Sequence, residues 1–184
     1  MRVIAGTAKG RTLRVPPGGG TRAATDRIRE TLFGILTPDL PGSVVLDLFA
    51  GSGSLGIEAL SRGAARATFV EQAPGAVAVL RRNVEHAGFG DRATIVRSEV
   101  LAFLGAFLGA PADADLAFCD PPFADVAILG TVLTRVAAPG RLVVARILRK
   151  HPPVIPASLA VARTRELGEE ALLFLRYDAG AAGG

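Results

Sequence analysis

Hydrophobic positions change their rhythm at Ser43. Beyond it, short apolar runs alternate with segments of helical period. The runs are residues 44–49, 67–70, 93–96, 116–119 and 141–145. Each is too short for a helix and reads as a strand buried on both faces. Residues 54–62, 74–87, 98–108 and 126–137 lie between them and predict helices. Pro74 suits a first helical turn and Gly88 a helix stop. Such alternation predicts an α/β fold with a mostly parallel sheet and helices on both faces. After Lys150 the pattern changes: two strands, 159–166 and 171–177, flank Gly168 and predict a C-terminal antiparallel hairpin.

Upstream of Ser43 the pattern is weaker. Residues 1–15 predict a small hairpin that must lean on the domain. Pro16-Pro17 and Gly18-Gly19-Gly20 end it, and the glycines imply freedom between the hairpin and the next helix. Ile28, Leu32, Ile35 and Leu36 share one face of that helix, predicted over 26–36 and capped by Thr25 or Asp26. The expected organisation is an N-terminal extension over 1–42, one domain over 43–178 and a tail over 179–184.

Composition narrows the class. The chain has 184 residues, 49% hydrophobic and 21% charged, which suits one folded domain. One cysteine, Cys119, and two histidines, His86 and His151, exclude a disulfide framework and argue against a metal site. The start carries no apolar signal core, and the longest uncharged apolar stretch, 100–112, falls short of the ~20 residues of a membrane span. A cytoplasmic protein is expected. The net charge is +4, yet residues 1–30 alone hold seven basic and two acidic side chains. Lys9, Arg11, Arg14, Arg22, Arg27 and Arg29 therefore form a candidate polyanion-binding arm. The excess of arginine over lysine, 19 to 2, allows the alternative of an ordinary solvated surface.

The candidate chemistry gathers at two strand ends. The first is Asp47-Leu48-Phe49-Ala50-Gly51-Ser52-Gly53-Ser54-Leu55-Gly56. Gly51 and Gly53 suit positive φ and close approach to a ligand, and Gly56 suits tight helix–strand packing. The glycine spacing alone also matches the dinucleotide fingerprint. Asp47 argues against a pyrophosphate, which it would repel, and for a ligand ammonium. Asp-x-Phe-x-Gly-x-Gly resembles the first motif of S-adenosylmethionine-dependent methyltransferases. Candidate cofactor-binding residues are Asp47, Ala50, Gly51, Ser52, Gly53, Leu55, Glu71, Gln72, Glu99 and Val100. Glu71, at the end of the second strand, suits the ribose hydroxyls of an adenosine cofactor. Glu99 suits the adenine amine, or equally a helix cap.

The second is Asp120-Pro121-Pro122-Phe123. Two prolines stiffen this loop and free its carbonyls. Asp120 and the Pro121 carbonyl can accept both hydrogens of one exocyclic amine, and Phe123 offers a face for stacking a base. An aromatic amine is a poor nucleophile because its lone pair is delocalised. Two fixed acceptors stabilise its developing positive charge during methyl transfer, so Asp120, Pro121, Pro122 and Phe123 are the candidate catalytic residues. Cys119 reads as a buried strand residue.

Over nearly its whole length the chain resembles the bacterial RsmD-type 16S rRNA guanine-N2 methyltransferases. The resemblance rests on Arg2-Val3-Ile4-Ala5-Gly6, Lys9-Gly10-Arg11-x-Leu13, Thr25-Asp26-Arg27-x-Arg29-Glu30-Thr31-Leu32-Phe33, the Asp47–Gly53 motif, Gly56-x-Glu58-Ala59-Leu60-Ser61-Arg62-Gly63 and the Asp120 loop. It implies a Rossmann-like fold, S-adenosyl-L-methionine as cofactor with S-adenosyl-L-homocysteine as product, and a 16S rRNA partner within a small ribosomal subunit, acted on by a monomer without metal. It also implies that the Thr25–Arg29 region borders the site and that the basic arm faces RNA. Ala23-Ala24, Gly34, Glu99 and Ala145-Arg146 depart from the family pattern, and none of them is expected to touch the Asp120 loop. The competing readings are an adenine-N6 DNA methyltransferase, for which no target-recognition domain is evident, and a non-catalytic RNA-binding module, which the intact Asp120 loop disfavours.

Overall fold

The structure, a computed structural model, describes residues 1–16, 25–106, 113–122, 126–178 and 180. Arg22 and Phe123, both expected at the site, lie outside the described residues, as do the three glycines after the hairpin.

The helices are α1 (Asp26–Leu36), α2 (Ser54–Ser61), α3 (Pro74–Ala87), α4 (Val100–Ala106) and α5 (Val126–Val136). The strands are β1 (Val44–Leu48), β2 (Arg66–Glu71), β3 (Ala93–Arg97), β4 (Leu116–Cys119), β5 (Leu142–Leu148), β6 (Leu159–Leu167) and β7 (Glu170–Tyr177). They form one sheet in the order β3-β2-β1-β4-β5-β7-β6. The first five strands are parallel, and β7 and β6 are antiparallel. The strand order turns back at β1, which pairs with both β2 and β4. In open α/β sheets that switch point is where ligands enter.

Period-2 alternation splits the core in two. Val45, Phe69, Phe118, Val144 and Phe174 face α1, α2 and α3. Leu46, Val70, Ala117, Val143 and Leu173 face α4 and α5. Asp47, two residues after Val45, and Arg146, two after Val144, therefore fall on the α1–α3 face. Helix α1 starts where its pattern predicts: the Thr25 hydroxyl accepts the Ile28 amide at 3.3 Å. Its apolar face lies on the sheet, with Phe33 and Phe118 edge to face at 5.8 Å between ring centroids.

Three expectations change. Strand β1 ends at Leu48, and Phe49 takes φ 63°, a left-handed conformation costly for a side-chain-bearing residue. Strand β5 runs on to Leu148, because antiparallel pairing with β7 continues through Arg146↔Leu172 and Leu148↔Glu170. Finally, the N-terminal hairpin and α1 are docked rather than free of each other. The hairpin has a single bridge, Arg2↔Thr12, but its turn grips the end of α2. The Thr7 and Ala8 amides donate to Ser61, and the Ile4 and Ala5 amides donate to the Glu58 carboxylate at 2.8 and 3.0 Å. Val3, Ala8 and Leu13 join the same apolar core as α1.

Gly56 lets α2 approach the sheet. A Cβ there would sit 2.3 Å from the Phe69 ring and 3.1 Å from Asp47 Oδ2. Gly56→Ala should therefore overpack the α2–β2 contact and cost about 1–3 kcal/mol. Urea denaturation read by circular dichroism should show a lower midpoint with an unchanged slope.

Candidate active site

The switch point brings the two motifs together. The loop after β1 and the residue after β4 leave neighbouring strands at the same end of the sheet. Gly51 (φ 55°) and Gly53 (φ 80°) take the predicted left-handed turns. The loop is braced from several sides. The Ala50 amide donates to the Val70 carbonyl at 2.9 Å and the Gly53 amide to the Ala50 carbonyl at 2.7 Å. The Glu71 carboxylate accepts the Gly51 and Ala73 amides at 2.9 and 2.8 Å. Glu71 thus stands at the loop as expected, and it also holds the loop's shape.

Asp47 is buried beneath this loop, and its Oδ2 accepts the Gly56 amide at 2.9 Å. No other hydrogen bond reaches its carboxylate among the described residues. Burial pushes its pKa up to about 8; the Gly56 amide opposes this, and the charges of Asp120 and Glu71 add to it. A buried carboxylate this poorly compensated suits a cationic ligand group. A Cβ on Gly51 would meet only the Phe49 carbonyl, at 4.0 Å, so the space above the loop is open.

Asp120 lies at the mouth with its side chain 16% exposed. Its Oδ1 accepts Arg146 Nε at 2.7 Å. Burial raises its pKa, and Arg146 pulls it back. Arg146 also reaches Glu170 at 3.4 Å. Arg146 was not expected at the Asp120 loop; the longer β5 carries it there. Ile28, Leu32, Leu55, Val144 and Leu172 make an apolar cleft against Asp120 and Arg146, between α1 and the sheet. Leu55 therefore faces the Asp120 side of the loop, and Pro121 is buried beside it. Cys119 points to the other face, where burial drives its thiol pKa far up, as fits an inert core residue.

The other expected residues have varied surroundings. Glu99 caps α4, accepting the Leu101 and Ala102 amides at 3.4 and 3.1 Å, while Val100 packs in the α4–α5 core. Gln72 is exposed next to Glu71, and Ser52 is buried in the loop. On the basic arm, Lys9, Arg14 and Arg27 are exposed. Arg11 is exposed but donates to the His86 carbonyl at the end of α3 at 2.8 Å. Arg29 is not a surface residue: it is fully buried, donating to Asp26 at 2.7 Å and to the Arg2 carbonyl at 2.8 Å, with Glu58 at 3.6 Å. Helical periodicity turns it inward beside Ile28, so it anchors the hairpin and offers nothing to RNA.

Asn83 was missed. Its side chain donates to the Ser52 and Arg14 carbonyls and accepts the Arg14 amide, tying the glycine loop to the basic arm. The available signal was a polar residue on the apolar face of α3, beside Leu80 and Val84.

Seven strands in the order β3-β2-β1-β4-β5-β7-β6, with β7 antiparallel and a glycine loop at the switch point, make a Rossmann-like fold of the methyltransferase type. The chain belongs to the family described as Conserved hypothetical protein 95, whose model matches residues 1–176. It is 45% identical over 123 residues to ribosomal RNA small subunit methyltransferase D of Escherichia coli K12. That match covers 67% of this chain and 60% of the relative's length. The solved yhhF structure from Escherichia coli superposes with TM-score 0.84 at 35% identity, covering 97% of this chain and 98% of that one. An RNA methyltransferase from Salinibacter ruber, solved in complex with S-adenosyl-L-homocysteine, shares the fold at TM-score 0.63 and 19% identity, covering 84% and 92%. Among the described residues no helix is long and apolar enough to cross a membrane.

The raised pKa of Asp47 has a consequence for stability. The folded state holds this proton up to about pH 8, whereas an unfolded aspartate releases it near ~3.9. Its contribution is therefore complete below about pH 4 and is lost as pH rises through about 8. Without ligand, Tm measured from pH 4 to 9 should fall less steeply in Asp47→Asn, whose amide oxygen can still accept the Gly56 amide.

Proposed function

We propose that this protein transfers a methyl group from S-adenosyl-L-methionine to the exocyclic N2 of a guanine in 16S rRNA, presented within a small ribosomal subunit. The observation that carries the reading is the Asp120 carboxylate. It stands at the switch point beside the glycine loop, with one oxygen held by Arg146 and the other without a partner among the described residues. The names of the relatives support an rRNA substrate. The Asp47 and Glu71 carboxylates and the open space over Gly51 fit the cofactor's ammonium, ribose and close-packed body.

The cofactor supplies an electrophilic methyl on a positively charged sulfur. Asp47 receives the ammonium and becomes ionised by it. Glu71 keeps lone pairs for the ribose hydroxyls while it braces Gly51. The second Asp120 oxygen and the Pro121 carbonyl accept the N–H bonds of the target amine and hold its nitrogen in line. As the nitrogen gains positive charge, the carboxylate stabilises it. The methylated nitrogen is then acidic and loses its proton without a strong base. The N2–H₂ of guanine and the N6–H₂ of adenine offer these acceptors the same two N–H donors, so the choice of guanine in rRNA draws on the RsmD-type resemblance and the relatives' names. The buried apolar side chains of Ile28, Leu32, Leu55 and Leu172 back Asp120 and Arg146 and keep water from beneath the carboxylate.

Methyl transfer from labelled S-adenosylmethionine to small subunits from a strain lacking this gene, to naked 16S rRNA and to genomic DNA tests the reading. N2-methylguanosine in either RNA is expected; N6-methyladenine in DNA would replace it with the DNA-enzyme alternative. Asp120→Ala should lower kcat by about 10²–10³-fold, by analogy with loss of an oxyanion-hole contact, with little change in cofactor Kd. Arg146→Met should raise the Asp120 pKa further. Because Asp120 acts ionised, the acid limb of the kcat profile should move to higher pH, and Arg146→Lys should restore it in part.

A further inference from the structure

Strand β6 is the sheet's edge, and its side chains from Ala160 to Glu166 are all exposed. Its pairing with β7 carries an irregularity between Val161 and Arg163. Before it, Val161 pairs with Leu175, which belongs to the α4–α5 side of the core. After it, Arg163 pairs with Phe174 and Arg165 with Leu172, which belong to the α1–α3 side. Opposed residues in an antiparallel pair share a face. In unbroken register Arg163 and Arg165 would therefore point to the α5 side, since a one-residue slip flips every side chain. The bulge turns both onto the face that holds Asp120 and Arg146.

This placement is specific to the cleft. Leu172 lines it, and Leu172 lies between Arg165 on one side and Arg146 on the other in a single cross-strand row. At ~4.8 Å per strand, Arg165 is roughly 10 Å from Arg146 along that row. Neither Arg163 nor Arg165 forms an ion pair or side-chain hydrogen bond among the described residues, whereas cations near them are matched: Arg149 and Lys150, just after β5, with Glu166 and Glu169, and Arg176 of β7 with Asp39. On the same face, Glu170 is taken by Arg146 and Asp39 by Arg176.

We infer that Arg163 and Arg165 form a phosphate-binding shelf, turned toward the cleft by the β6 bulge, that holds the RNA backbone beside the target nucleotide. The inference rests on the proposed rRNA substrate and adds a second RNA surface to the N-terminal arm. Two unpaired guanidiniums two residues apart on an exposed strand suit a polyanion, since phosphate is recognised by arginine forks without sequence information. An acidic protein surface would fit the charge as well, but the shelf's Arg165 lies in one cross-strand row with Arg146, which holds the Asp120 carboxylate.

The test is binding of the full-length protein to in vitro transcribed 16S rRNA and to small subunits across a salt series. Arg163→Gln/Arg165→Gln should lower the slope of log K against log salt by about 1.4 for single-stranded contacts or about 1.8 for duplex contacts. KM for RNA should rise, while kcat and the Kd for S-adenosylhomocysteine stay near wild type. Arg149→Gln/Lys150→Gln, which removes two cations paired with carboxylates of the hairpin, should leave the slope unchanged. Wild-type binding with an unaltered slope in the Arg163/Arg165 variant would overturn the shelf and leave the rRNA reading standing. An absence of salt-dependent RNA binding by the wild-type protein would instead overturn both. A slope lowered equally by the two double variants would reduce the shelf to general surface charge.

Discussion

Helix α2 meets the sheet at a distance that only a glycine permits. The Phe69 ring fills the space where a Cβ of Gly56 would stand, and Asp47 takes the Gly56 amide from below. That approach sets where α2 begins, and so where Gly51 and Gly53 turn. It also carries Glu58, two residues on, to the place where the hairpin amides of Ile4 and Ala5 end. The glycine loop and the attachment of the N-terminal segment thus depend on one close contact between helix and strand.

Charge inside this protein organises rather than merely decorates. Glu58 and Arg29 are fully buried, and burial of ions is expensive unless hydrogen bonds replace their water. Glu58 is well served, by two hairpin amides and by Arg62 at 2.8 Å. Arg29 is not: its Nε and Nη1 lack hydrogen-bond partners among the described residues, although Glu58 lies 3.6 Å from Nη1. What the pair contributes is register between hairpin, α1 and α2. Arg146 plays a related part across β4, β5 and β7, where it joins Asp120 to Glu170.

Asp47 and Asp120 share one face of the sheet and feel each other's charge. Asp47 has no ion-pair partner among the described residues; Asp120 already has Arg146. Two carboxylates so differently compensated are suited to two tasks, holding a cationic cofactor and polarising a neutral amine. The same face continues across Leu172 to Arg163 and Arg165, so base, cofactor and RNA backbone would all meet the sheet from one side.

Much of this was legible in the amino-acid order, because it is local. The βα alternation, the glycine loop and the Asp120-Pro121-Pro122 stretch depend on neighbours within a few residues, where periodicity and turn chemistry act. Thr25 at the start of α1 and Gly88 at the end of α3 are of the same kind. What only the tertiary structure decided depends on contacts distant in the chain. Arg29 reads as part of a basic surface until α1 docks and turns it onto Glu58. Asn83 becomes a brace only when α3 lies against both Ser52 and Arg14. Arg146 joins Asp120 only because β5 extends along β7. A single extra residue in β6, invisible to any two-residue pattern, decides which face Arg163 and Arg165 present. Local physics determined the elements and the chemistry; the pairing of distant strands determined which charges reach the site.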